Sequence, residues 1–223
     1  MSDRVKIDLR DDVYRRPLLT AIERLGLGPG WKCADVGAGG GDVSVALGKI
    51  VGPSGRVFAI DIDPKRRDEV AEIAARETQV IALTQPAEEM MLPEKVDLAF
   101  CRFLLLQVMD PLTVIIQMSK AVRDGGWIVI QEAVTSAGRV GLTPIKMSAD
   151  SVRNPDVGIM VPKLITEIGL ELVDCWAEAP VGLGDTPETR YLQVMTEVEV
   201  LDEPVMLPPV ITTIARKPNL NNL

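Results

Sequence analysis

No histidine occurs anywhere in the 223 residues. Without imidazole, no side chain titrates near neutral pH at its ordinary pKa. Ser-His-Asp and Cys-His nucleophilic catalysis are excluded, and so are most transition-metal sites, so no metal is expected. Any proton transfer falls to a carboxylate, Tyr, Lys, Cys or water. Cysteine is scarce too: Cys33, Cys101 and Cys175 lie far apart, with no C-x-x-C pair. All three fall in strand-like stretches and read as buried thiols of a reduced, cytoplasmic protein. Positive charge is in the minority, with 24 Lys and Arg against 32 Asp and Glu, a net charge of −8. The clusters Arg15-Arg16 and Lys65-Arg66-Arg67 read as solvated helix starts, not as a nucleic-acid face. No apolar run approaches the ~20 residues of a membrane span. The start, Met1-Ser2-Asp3-Arg4-Val5-Lys6, is too polar for the apolar core of a signal peptide.

What is present suits one large domain, residues 1–223, able to bury a substantial core. Residues 1–10 read as loosely ordered, and a helix is predicted from about Pro17 to Leu25. Strand-like runs follow at 31–34, 56–60, 79–83, 96–101 and 127–131, with amphipathic helices between them. The helices open at the loop after the first strand, at Asp63-Pro64 and at Asp110-Pro111. A polar segment, 135–157, a short helix, 162–168, and a strand, 171–177, come next. An irregular excursion then leads to a last strand at 210–215 and a frayed tail from Pro218. Alternating strands and helices argue a parallel sheet covered on both faces, and the apolar character of the strands agrees.

The chain is organised around Asp35-Val36-Gly37-Ala38-Gly39-Gly40-Gly41-Asp42, a glycine turn between strand and helix. Such turns let backbone N–H groups approach a ligand closely. A phosphate-cradling P-loop needs Lys-Ser/Thr after the last glycine, and here the residues are Asp42-Val43. A dinucleotide fingerprint needs a third small residue where Asp42 stands, which disfavours that reading. The pattern D-x-G-x-G-x-G is met by Asp35, Gly37, Gly39 and Gly41.

With this pattern the chain resembles the class I S-adenosylmethionine-dependent methyltransferases, most of all their small-molecule, ubiquinone/menaquinone-type branch. Residues 15–135 carry the likeness best. It implies a Rossmann-like, doubly wound, mostly parallel seven-stranded sheet with helices on both faces. It also implies a cofactor-binding core over 10–135, with substrate-side segments and the last two strands over 136–217. S-adenosylmethionine is the implied cofactor and a small molecule the implied partner, with no nucleic acid and no membrane; homo-oligomerisation is left open. Besides Asp35, Gly37, Gly39 and Gly41, the resemblance puts Asp61 on the ribose hydroxyls and Ile62 on the adenine face. Ala87 and Glu88, in Gln85-Pro86-Ala87-Glu88-Glu89, would border the adenine edge. Cys101 stands at the tip of a strand that ends near the methionine moiety, with core packing as the alternative. Asp97 reads as structural and Arg102 as paired with a neighbouring acid.

Two departures stand out. Pro86 occupies a place where many relatives carry an acid, and Gln107 one where many carry a histidine. The segments that would cap the substrate are modest in length. Methyl transfer from a sulfonium needs alignment more than a base, so no catalytic residue is assigned. Glu132, just past the fifth strand, is the nearest candidate for a base, with a solvated or structural role as the alternative. Diversion of the fold to cyclisation or rearrangement, or to cofactor binding without catalysis, is the competing reading.

Overall fold

The computed structural model describes residues 3–74, 79–145, 152–196 and 202–219. Five parallel strands form the centre: β1 (Lys32–Val36), β2 (Arg56–Asp61), β3 (Val80–Thr84), β4 (Val96–Arg102) and β5 (Val122–Ala133). Two more follow late in the chain, β8 (Glu171–Glu178) and β11 (Val210–Arg216). The sheet order is β3-β2-β1-β4-β5-β11-β8, with β11 antiparallel to both of its neighbours. The chain steps outward from β1 in one direction through β2 and β3, then returns to the other side at β4. The crevice at this reversal, beyond the C-terminal ends of β1 and β4, is where open α/β sheets bind ligands.

Side-chain pattern explains which helix covers which face. Leu18, Ala21 and Ile22 of α1 (Asp3–Leu25) recur at helical spacing. They pack with Val43, Leu47 and Val51 of α2 (Asp42–Val51) and Val70 of α3 (Pro64–Ala74) on one face. Val114, Ile115 and Met118 of α4 (Pro111–Ala121) and Val157, Val161 and Ile165 of α5 (Val157–Glu167) cover the other. Asp110 caps α4, accepting from the N–H groups of Leu112 (3.0 Å) and Thr113 (3.3 Å). Asp97 stitches the bottom of the sheet: its carboxylate accepts from Lys32 N (2.8 Å) on β1 and Arg123 Nε (2.6 Å) on β5.

Several local expectations are corrected. The first helix begins at Asp3, not near Pro17, which lies inside it. Carbonyls around the proline find donors elsewhere: Arg102 Nη1 donates to Tyr14 O (3.3 Å) and Gln131 Nε2 to Pro17 O (2.8 Å). Tertiary partners thus hold a helix that local sequence argues against. Likewise α5 starts at Val157, five residues before Pro162. The stretch read as irregular contains α6 (Pro187–Thr196). It also contributes to a second, four-stranded antiparallel sheet of β6 (Arg139–Val140), β7 (Thr143–Pro144), β9 (Val181–Gly182) and β10 (Val205–Met206), in the order β7-β6-β10-β9. Two-residue strands carry no period that a sequence could display. The expected tail beyond Asn219 lies outside the described residues.

Candidate active site

The glycine loop leaves β1 with Gly37, Gly39 and Gly41 all at positive φ (+76°, +51° and +81°). At Gly37 the need for glycine is also steric. A Cβ there would lie 2.8 Å from Leu104 Cδ1, on the turn that follows β4. Four of the loop N–H groups are engaged within the fold, where such a turn is expected to aim them at a ligand. Gly37 N and Ala38 N donate to Ile60 O (2.8 and 2.9 Å), Gly41 N to Ala38 O (2.9 Å) and Gly39 N to Asp61 Oδ2 (2.8 Å). Among the described residues no backbone N–H donates to the carbonyls of Gly37, Gly39 or Gly40. The loop therefore has spare acceptors and few spare donors. That polarity suits a cationic group, and it explains why neither a pyrophosphate nor a P-loop phosphate belongs here.

Asp61 ends β2 with its carboxylate spanning the crevice edge, accepting from Gly39 N and from Asp63 N (3.0 Å). A carboxylate has about four acceptor positions, so two remain for hydroxyl donors. Beside it, Ile62 is 68% exposed and presents an apolar side chain to the crevice. Ala87 is buried in the crevice wall and Glu88 is half-buried at its rim. Gln85, a possible partner for an adenine edge, is already engaged: its Oε1 accepts from Met91 N (2.7 Å) and its Nε2 donates to Met91 O (3.2 Å). Gly37, Gly39, Asp61, Ile62, Ala87 and Glu88 thus meet around one crevice of about 560 Å³.

Asp35, Gly41 and Cys101 are not brought to that wall. Asp35 is buried under the loop, where its Oδ2 accepts from Ser44 Oγ (2.6 Å) at the start of α2. Burial pushes its carboxyl up to about 6, against the pull of the Ser44 hydroxyl and the Arg102 charge. Cys101 is fully buried in the core, and burial raises its thiol well above the ordinary range, so it is an inert packing group. Arg102 takes the paired role: Nη2 binds Asp42, the residue that breaks the dinucleotide pattern. Its side chain is 3% exposed, and burial lowers it to about 10, which leaves it charged. Arg10, from α1, reaches the same Asp42 (3.2 Å).

Glu132 is fully buried beneath the turn after β4. Its Oε1 accepts from Leu104 N (2.8 Å) and Leu105 N (2.6 Å), while Oε2 has no partner. Desolvation pushes the carboxyl up to about 8, with the backbone N–H groups of Leu104 to Leu106 opposing. From the other side, Asn154 Nδ2 donates to Leu105 O (2.9 Å) and Val108 O (2.8 Å). Glu132 holds the turn in place; it lines neither cavity.

A second cavity, of about 210 Å³, adjoins the crevice and shares Arg10, Phe103 and Gln107 with it. Helices α1 and α6, the turn after β4 and the segment just after β10 build it, with Tyr14, Tyr191, Leu192 and Leu207 among its walls. The ring of Phe103 stacks edge-on against Tyr14, centroids 4.9 Å apart. Sequence reasoning missed this chamber. Its residues lie in segments whose order comes from tertiary contact, and no spacing signal joins Arg10 to Tyr191.

The sheet order, the crevice at its reversal and an acceptor-rich glycine loop facing Asp61 define the class I S-adenosylmethionine-dependent methyltransferase fold. Residues 34–130 match the family described as Methyltransferase domain. Two curated relatives align over 115 residues. One is a probable cobalt-precorrin-6B C(15)-methyltransferase (decarboxylating) of Sulfolobus acidocaldarius, 33% identical over 49% of this chain and 57% of the relative. The other is a demethylmenaquinone methyltransferase of a Geobacillus strain, 32% identical over 50% of this chain and 49% of the relative. The chain spans about half the length of the curated relatives it matches. A solved S-adenosylmethionine-dependent methyltransferase of Aquifex aeolicus superposes with a TM-score of 0.65 over 97% of this chain and 99% of its own, at 20% identity. No helix among the described residues is long and apolar enough to cross a membrane.

Proposed function

We propose that the chain transfers a methyl group from S-adenosylmethionine to a small-molecule acceptor. The observation that carries this reading is the junction of two chambers: a polar crevice with Asp61 and the glycine carbonyls, opening at Arg10 and Phe103 onto an apolar cavity. Asp61 would hold the ribose, and Ile62 and Ala87 the adenine faces, with Glu88 at the adenine edge. The carbonyls of Gly37 and Gly39 would accept from the amino group. Asp35, Gly41 and Cys101 would act from behind, by shaping the loop and the strand end. When bound, the cofactor supplies an electrophilic methyl on a positive sulfur. The protein's part is to align an acceptor in the apolar cavity and to keep water out.

The two curated relatives are named for different acceptors. The choice of acceptor therefore rests on the apolar cavity, not on the crevice. We read the chain as one domain, since β1, near the start, and β8 and β11, near the end, share one seven-stranded sheet. A cytoplasmic setting accords with its three free cysteines, and a partner other than nucleic acid with its net charge of −8. The test is to incubate the protein with S-adenosylmethionine and candidate acceptors and look by mass spectrometry for the gain of one methyl group. Binding of S-adenosylhomocysteine without transfer to any acceptor would overturn the activity while leaving the cofactor site intact.

A further inference from the structure

We infer that the acceptor is a ring compound that binds as an oxyanion, with Arg10 holding the anionic oxygen where the two chambers meet. This rests on the methyl-transfer reading above. Among the described residues, Arg10 is the only charged one in the wall of the apolar cavity. Of the five donors on its guanidinium, one makes a hydrogen bond among the described residues, Nη2 to Asp42 Oδ1 at 3.2 Å. Its Nε is buried and has no partner. A buried donor left without a partner is costly unless a ligand meets it, and this one sits on a guanidinium at the cavity wall. The hydroxyl of Tyr191 likewise makes no hydrogen bond among the described residues and lines the same cavity.

The occupant of that donor set is more readily the acceptor than the cofactor's carboxylate. Arg10 lines both chambers, but the polar crevice has three further cations in its wall, Arg66, Arg102 and Arg153, whereas the apolar cavity has no second one among the described residues. The cavity also lacks a base. Among the described residues its walls hold no Asp, Glu, Lys or Cys, and the chain has no histidine. Its two phenols, Tyr14 and Tyr191, are both driven upward by burial. A neutral phenol or enol entering here would find nothing to take its proton. One that has released its proton to water finds a guanidinium. The oxygen lone pair then forms the new O–C bond, the S–C bond breaks, and its electron pair stays on sulfur, with no proton left to move. Size sets the remainder: a dry cavity of about 150 Å³ admits benzene, so about 210 Å³ admits a substituted ring.

The probe is 4-nitrophenol, whose absorbance reports its ionisation, with 4-nitroanisole as the same ring lacking an acidic oxygen. Both are titrated into the full chain, with and without S-adenosylhomocysteine. The expected result is that bound nitrophenol ionises about one pH unit or more below the free compound, a tenfold preference for the anion. Nitroanisole should bind at least about tenfold more weakly than nitrophenolate. Arg10→Gln should erase the downshift and the selectivity while changing nitroanisole binding by less than about threefold. An unshifted midpoint on the unmutated protein overturns the inference, and that measurement does not depend on the variant folding. So does a variant that keeps the downshift but loses affinity for S-adenosylhomocysteine, because Arg10 would then serve the cofactor. Absence of S-adenosylhomocysteine binding to the unmutated protein removes the methyl-transfer reading instead, and nitrophenolate selectivity is scored separately from it.

Discussion

Glu132 makes the stability of this protein depend on pH in a direction opposite to most carboxylates. Its pKa is raised from 4.5 to about 8 by burial beneath the turn after β4. A folded-state pKa above the unfolded one means that the native state binds the proton more tightly. The stability it confers is full below about pH 4.5 and is lost as pH rises to about 8. At ~1.36 kcal/mol per pH unit, 3.5 units amount to about 4–5 kcal/mol. For a domain of this size that is about 8–20 °C in Tm. Asp35, raised to about 6, adds loss in the same direction over the lower part of the range. The perturbation is Glu132→Gln, which mimics the protonated acid and keeps an acceptor for Leu104 N and Leu105 N. By differential scanning calorimetry from pH 5 to pH 9, the unmutated protein should lose Tm steadily. The variant should match it within about 1 kcal/mol at pH 5 and exceed it by about 3 kcal/mol or more at pH 9. Parallel curves would refute the assignment of a buried, proton-binding carboxyl.

Other perturbations test the crevice. Gly37→Ala places a Cβ 2.8 Å from Leu104 Cδ1 at φ +76°, and should cost about 1–3 kcal/mol of stability and weaken S-adenosylhomocysteine binding in calorimetry. Asp61→Asn turns one acceptor oxygen into a donor beside Gly39 N or Asp63 N, and should raise the S-adenosylhomocysteine Kd about tenfold or more. Arg102→Met leaves Asp42 with only Arg10 and should destabilise by about 3 kcal/mol in urea unfolding, with much of the loss recovered in the Arg102→Met/Asp42→Asn double variant.

The parallel half of the fold was legible because its strands are buried on both faces and its helices start at strong signals. Asp110-Pro111 is one such signal, and Asp63, whose Oδ1 accepts from Lys65 N at 2.9 Å, is another. The landmarks Asp61, Ile62 and Ala87 lie at fixed offsets along that regular framework, so their meeting around a crevice could be anticipated. What was not legible depends on partners remote in sequence. The N-terminal half of α1 is fixed by Arg102, 88 residues away from Tyr14. Loop N–H groups were expected to face a ligand, but Ile60 and Asp61 claim those of Gly37, Ala38 and Gly39. Glu132 reads as an acid at a strand end, and nothing near it announces that it clamps a turn 27 residues earlier.

The apolar chamber draws much of its wall from α1, α6 and the segment just after β10, and the polar crevice draws its own from the C-terminal ends of β1, β2 and β4. The two meet only at Arg10, Phe103 and Gln107. Such a division makes the molecule a socket and an adaptor. On the methyl-transfer reading proposed above, exchanging the stretch from Val181 to Leu207 would recut the adaptor and redirect the chemistry to a different compound, while the socket, with its glycine loop and its carboxylate, would go on gripping the same donor.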